Sequence, residues 1–244
     1  MKFKLITCEV FFRETCLAAA TSPHLIYPEY TPKDAHNDSE FLRDLLQMKI
    51  EKAERDELNF DTILLGYGLC GNSINGLKSS SIPLVVPRVH DCCTIFLGSK
   101  EKFKDHFSNR LSASWTTPGY LERGKELLRE EGPDDIIGLD RSYQELVEQY
   151  GEENARYVWE TLHPKTEDDN LIYIKIPELE GLGYIHQIKA KAEAEGRDLE
   201  IIEGDIRLIE SLLNGDWDEE EFLLVQPGQK IKAVYDQDLI ITAE

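Results

Sequence analysis

The chain has 244 residues, 41% hydrophobic and 30% charged, with a formal net charge of −20 from 47 acidic against 27 basic side chains. A chain this long can bury one large core or two smaller ones. So acidic a surface excludes nonspecific nucleic-acid binding and docking on anionic lipid, which need clustered Lys and Arg, and otherwise favours solubility.

In chain order, residues 3–8 read as an apolar strand ending at Cys8. This opening stretch is too short for a signal peptide and is interrupted by Glu9, Arg13 and Glu14. No apolar run approaches the ~20 residues of a membrane span. A cytoplasmic location is therefore expected, where the five cysteines stay reduced thiols. A short amphipathic segment follows through Arg13-Glu14-Thr15-Cys16-Leu17, with Cys16 expected in the core. A second strand at 24–27 is ended by Pro28. The turn-rich stretch 31–38 precedes Ser39, the expected N-cap of a helix over 40–56. Leu42, Leu45, Leu46 and Ile50 mark its buried face. A third strand at 60–65 runs into the loop 66–76, where Gly66, Gly68, Gly71 and Gly76 let the backbone take positive φ or approach a ligand.

A fourth strand at 83–86 leads to helices over about 92–97 and 100–107. Residues 108–150 change character and read as a lid or connecting segment. The second half then gives a helix at 152–162, a strand at 171–176 and a helix at 184–195. A strand at 199–202, a helix at 206–213 and a strand at 222–225 complete it. This alternation predicts an α/β fold: two Rossmann-like lobes with mostly parallel sheets, helices on both faces and a cleft at the strand carboxyl ends. The expected division is 1–110 for the N-terminal lobe, 111–150 for the connection and 151–244 for the C-terminal lobe. No repeat or heptad pattern argues for another architecture.

Two apolar runs stop at cysteines: Leu64-Leu-Gly-Tyr-Gly-Leu-Cys-Gly-Asn72 and Val85-Val-Pro-Arg-Val-His-Asp-Cys-Cys93. With Cys8 at the end of the first strand, parallel pairing would bring Cys8, Cys70 and Cys92 to one sheet edge, where open α/β sheets build ligand sites. His90 would be a fourth ligand or a neighbour to the metal. Asp91 would orient a ligand or transfer protons together with His90, and Glu9 is a weaker candidate for that role. A thiol at a helix start is expected to ionise readily. Zinc takes mixed Cys/His sets with an open fourth position, and iron–sulfur clusters prefer thiolates. Cys93, about 100° round a helix from Cys92, is expected to face elsewhere. The 22-residue separation of Cys70 from Cys92 is no compact metal signature.

Two other chemistries compete. Cys70 or Cys92 with His90 and Asp91 could form a nucleophilic thiol site, although consecutive His90 and Asp91 side chains diverge. Gly66-Tyr-Gly-Leu-Cys-Gly71 has the spacing of a nucleotide loop, without a clear following helix or acidic partner. The glycines Gly66, Gly68 and Gly71, with His36 in Asp34-Ala-His-Asn-Asp-Ser39, are the expected cofactor-contacting positions. The Asp-x-His opening of that segment fails the further pattern of base-off corrinoid binding, because Ser39 stands where glycine is needed. His24, His106, His163 and His186 have no ligand-like neighbours in sequence.

Several motifs together resemble one family. They are Cys8-Glu-Val with Arg13-Glu14, Leu65-Gly-Tyr-Gly-Leu-Cys-Gly-Asn72, Pro87-Arg-Val-His-Asp-Cys92, Phe96-Leu-Gly-Ser99 and Pro118-Gly-Tyr120. Tyr150-Gly-Glu-Glu-Asn154, Gly204-Asp205 and Gly215-Asp-Trp217 extend the likeness over most of the chain. The set resembles the DUF1638 family of bacterial and archaeal proteins. That resemblance implies functional weight at Cys8, Cys70, His90, Asp91 and Cys92, and at His36. It also implies a setting in anaerobic one-carbon or methyl-transfer metabolism, with a corrinoid protein or corrinoid-dependent methyltransferase as partner. Cys93 departs from the family pattern, in which a small or aliphatic residue follows His-Asp-Cys.

The expectation is a metal- or metallocofactor-binding protein, with an iron–sulfur cluster first and zinc second, held by Cys8, Cys70 and Cys92 with His90 nearby. A small-molecule ligand would occupy the inter-lobe cleft. The alternatives are a thiol-dependent enzyme acting on a small substrate and a non-catalytic accessory of a methyltransferase system.

Overall fold

A computed structural model describes residues 1–108, 113–123, 170–234 and 239–244, with residues 152 and 236 singly. The main sheet has five strands in the order β2-β1-β3-β4-β8. They are β1 (Lys2–Cys8), β2 (Leu25–Thr31), β3 (Thr62–Gly66), β4 (Leu84–Pro87) and β8 (Phe222–Val225). The first four run parallel, and β8 closes the edge antiparallel to β4. A second, three-stranded parallel sheet has the order β5-β6-β7, from Ser114–Thr116, Leu171–Lys175 and Leu199–Glu203. Strands β9 (Ile231–Ala233) and β10 (Ile241–Ala243) form an antiparallel pair. The fold is mixed α/β with mostly parallel sheets, and among the described residues no helix is long and apolar enough to cross a membrane.

Period-2 alternation on β1 sorts the helices around the main sheet. Lys4 and Lys49 both hold Glu29, at 2.6 and 2.7 Å, so α2 (Ser39–Glu54) covers the face carrying Lys4 and Ile6. On the opposite face Leu5 and Thr7 meet Phe11, Thr15, Leu208 and Leu212 around a small cavity. Helices α1 (Phe12–Thr21) and α7 (Arg207–Asn214) therefore pack there, in contact with each other. In the second sheet, Ile172 and Ile174 of β6 belong to the main hydrophobic cluster. Its Leu171 and Tyr173 instead pack with Ile188 and Ala192 of α6 (Tyr184–Glu195).

Three local expectations need correction. Cys16 is exposed rather than in the core, because α1 buries the phase of Glu14, Thr15 and Ala18. The N-cap of α2 is Asp38, not Ser39: its carboxylate accepts from the backbone N–H groups of Glu40 and Phe41 at 2.9 and 3.0 Å. Strand β2 does not end at Pro28 but runs on to Thr31, with Pro28 opposite Leu5. It is an edge strand, where a missing N–H can be tolerated.

Of the expected connection at 111–150, only 113–123 is described, and it contains β5 and the short helix α5 (Pro118–Arg123). The helix expected at 152–162, His163 and most of Tyr150-Gly-Glu-Glu-Asn154 lie outside the described residues.

Candidate functional site

Strand β1 lies between β2 and β3, so the strand order reverses beside it. A reversal of this kind is where an open parallel sheet leaves a crevice at its carboxyl edge. Cys8 is the last residue of β1, level with Thr31 of β2. Strand β3 ends at Gly66, level with Thr7, and its chain continues through Tyr67 and Gly68 to Cys70. The chain leaving β4 runs alongside: Leu69 N–H donates to the Val89 carbonyl at 2.9 Å and Cys70 N–H to the His90 carbonyl at 2.8 Å. This pairing beyond the strands brings the Cys70 and Cys92 segments together.

Gly68 makes that approach possible. A Cβ there would lie 2.7 Å from the Asp91 nitrogen and 2.8 Å from its Cα. Asp91 then caps the six-residue helix α3 (Cys92–Leu97), accepting from Thr94 N at 3.1 Å and Thr94 Oγ1 at 3.2 Å. After Gly68 the loop turns sharply, with Cys70 itself in the left-handed region at φ 44°. For a non-glycine residue that conformation costs on the order of 1 kcal/mol or more.

Cys8 and Cys92 are 2% and 9% exposed. Cys70 is a partly exposed loop residue whose thiol is surrounded by protein. The three thiols share one electrostatic neighbourhood. Burial pushes Cys8 up to about 11, against the pull of the Val10 backbone N–H and of Lys33. Burial pushes Cys70 up to about 12, with the Asp91 and Cys8 charges adding to it. Cys92 is held well above the ordinary thiol value by burial and then by Cys70. Without a bound cation all three are neutral near pH 7. This reverses the expectation of a readily ionised thiol at a helix start: a six-residue helix does not outweigh removal of the sulfur from water.

A phenol completes the group. Tyr120 Oη lies 2.9 Å from Cys92 Sγ, and its pKa is raised by burial and by the Cys92, Cys8 and Cys70 thiols. Gly119 sets its position, since a Cβ there would fall 1.8 Å from the Val10 carbonyl oxygen. Trp115 packs edge-on against the Tyr120 ring at 5.0 Å, and Lys33 Nζ sits 5.5 Å from the ring centroid. Pro118-Gly-Tyr120 stood out in sequence only as part of the family likeness. Tyr67 is the second phenol: it hydrogen-bonds Thr31, and its pKa is raised by burial and then by Cys8.

The remaining expected residues divide. His36 stacks on Tyr67 at 5.8 Å with Nε2 buried and unpartnered, and burial lowers its pKa. Glu9 accepts the Lys33 backbone N–H at 2.8 Å. His90 is exposed and, with Asp91 and with Phe103 and Lys104 of α4 (Lys100–Phe107), lines a cavity of about 550 Å³. Cys93 is buried beside the Asp91 charge. Gly66 packs against Thr7 and accepts its hydroxyl at 3.0 Å, whereas Gly71 is exposed with nothing beside it. Among the described residues no group of three or more His, Cys, Asp or Glu stands ready-made to hold a metal ion.

No curated protein and no solved structure matches the chain. The family model described as protein of unknown function (DUF1638) matches residues 30–213, a span that holds Cys70, Cys92 and Tyr120 and begins after Cys8. Most of the chain is covered, and it belongs to the DUF1638 family.

Proposed function

We propose that the chain is a cytoplasmic metal- or metallocofactor-binding protein whose ligands are Cys8, Cys70 and Cys92. The observation that carries this reading is the shared neighbourhood of three thiols, Cys8 and Cys92 buried and Cys70 partly exposed, from three separate chain segments at the sheet's carboxyl edge. The donor set suits a soft metal. Three thiolates fit an iron–sulfur cluster with one iron left for another ligand, or zinc with an open position. Binding would draw the side chains onto a common centre and release their protons. Lys33, which lowers the Cys8 pKa, would offset part of the thiolate charge.

A nucleophilic cysteine needs a lowered pKa. Burial holds all three thiols up, which leaves an unassisted nucleophile largely protonated, whereas a bound metal ion would itself deprotonate the thiols it coordinates. With the metal reading goes that of two Rossmann-like lobes, a small ligand entering a cleft between them. Family resemblance supports a setting in anaerobic one-carbon metabolism beside a corrinoid protein or methyltransferase.

Anaerobic purification followed by metal analysis and visible spectroscopy tests the proposal. Iron with sulfide and a coloured protein, or one equivalent of zinc, is expected. Cys70→Ala should lower metal affinity by roughly 10-fold or more. A colourless chain that takes up neither metal while all its thiols titrate freely would overturn the reading.

A further inference from the structure

We propose that Tyr120 is the positioning residue of the thiol site, holding Cys92 Sγ through its hydroxyl and tuning that sulfur once it is charged. The inference rests on the reading of Cys8, Cys70 and Cys92 as ligands. It adds a residue that the cysteine pattern alone gives no reason to choose.

The geometry is specific. Tyr120 Oη lies 2.9 Å from Cys92 Sγ, on a ring fixed by Trp115 at 5.0 Å and by Phe96 at 6.1 Å. Helix α5 cannot slide away from or towards the site freely, because Gly119 lies directly against Val10, two residues beyond Cys8. The backbone contact that anchors Tyr120 is thus made to the segment following one ligand, and its hydroxyl reaches another. His90, the neighbour expected from sequence, accepts the Cys70 N–H through its carbonyl at 2.8 Å and also lines the cavity shared with Phe103 and Lys104.

The chemistry fixes the direction of the hydrogen bond. Between a neutral thiol and a phenol either group can donate. A thiolate only accepts, so a metal-bound Cys92 leaves Tyr120 O–H as the donor. Such a donor withdraws charge from the sulfur. It orients the ligand, raises the energy of sulfur-to-metal charge transfer and raises the reduction potential of a redox-active centre. A phenol that merely filled a corner of the core would affect stability and none of these.

The test uses full-length protein prepared metal-free under anaerobic conditions, with Co²⁺ as the probe, comparing wild type with Tyr120→Phe. The phenylalanine keeps the ring and its packing, and urea denaturation of both metal-free chains separates any stability change from the metal signal. Expected for Tyr120→Phe are a thiolate-to-cobalt band moved to lower energy and an affinity about 10-fold weaker. Wild-type affinity and an unmoved band in the variant would overturn the role of Tyr120 and leave the three-thiol reading standing. A wild-type chain that gives no thiolate-to-cobalt band would overturn that reading, and this inference with it.

Discussion

Both carboxylate oxygens of Glu14 are buried without a hydrogen-bond partner, on a residue that is 0% exposed. Burial pushes its pKa up to about 7, with the Glu122 and Glu178 carboxylates adding to the shift and Arg13 opposing it. Because the folded value is raised, the stabilising contribution is full below the unfolded value of 4.5 and is lost as pH rises through about 7. At the alkaline end the charged form costs about 3 kcal/mol relative to the neutral one. Glu14→Gln should therefore match the wild type near pH 4 and exceed it in stability near pH 8.5, in urea denaturation at the two pH values. Parallel stability profiles would show that Glu14 is solvated after all. In sequence this residue belongs to the polar side of an amphipathic segment. The apparent stripe of Cys16 and Leu17 faces outward because α1 turns Glu14, Thr15 and Ala18 inward, where it meets α7. One short helix carries too few positions to fix its phase by periodicity. Tyr120 was hidden for a related reason: its partner Cys92 is 28 positions away, and a lone tyrosine after Pro-Gly has no local signature.

Elements with a strong internal period were legible. Helix α2 buries Leu42, Leu46 and Ile50 at helical spacing, and the apolar runs of β1, β3, β4, β6 and β8 stand out against polar flanks. Strands β5, β9 and β10 have three residues each, too few for alternation to register. They are held by distant partners. Arg88 ties the C-terminal pair down by donating to the carbonyls of Leu239 and Ile241, while its backbone N–H reaches Glu221 at 2.7 Å. The docking of α5 is likewise a contact between distant segments, and it yields a prediction at this scale. An added Cβ at Gly119 would meet the Val10 carbonyl at 1.8 Å, and the obstacle is backbone rather than a side chain that can turn away. Gly119→Ala should cost about 3 kcal/mol of unfolding free energy. Because α5 must shift, the variant should also lose the Tyr120 effect on the cobalt band. A variant as stable as the wild type would mean that α5 does not dock against Val10.

At the scale of the molecule, the candidate site was legible because parallel strands share a carboxyl edge. Once the runs ending at Cys8, Cys70 and Cys92 are neighbours in one parallel sheet, their ends meet. What the sequence left hidden was how the second half attaches. Strand β8 returns to pair with β4, and Ile172 and Ile174 enter the main hydrophobic cluster. These are contacts between segments far apart in the chain, set by packing and by no local pattern. The same long reach governs acid stability. Glu29, on the edge strand β2, receives Lys4 from β1 at 2.6 Å and Lys49 from α2 at 2.7 Å, joining two strands to the helix above them. Burial alone would raise its pKa, yet the hydrogen bonds from Lys4 and Lys49 lower it to about 2. A depressed folded value means that the contribution is fully present above the unfolded value of 4.5 and is lost as pH falls through about 2. Below its isoelectric point of about 4.7 the chain gains net positive charge as its other carboxylates protonate, while the depressed value of Glu29 lets this bridge outlast much of the acidic surface. Glu29 is partly exposed, and solvent screening reduces its worth to about 1–2 kcal/mol. Glu29→Gln should be less stable than the wild type by that amount at pH 7 and still less stable at pH 4. Below pH 2 the two should converge. Urea denaturation at the three pH values measures the gap, and a gap independent of pH would mean that the glutamine loses packing rather than an ion pair.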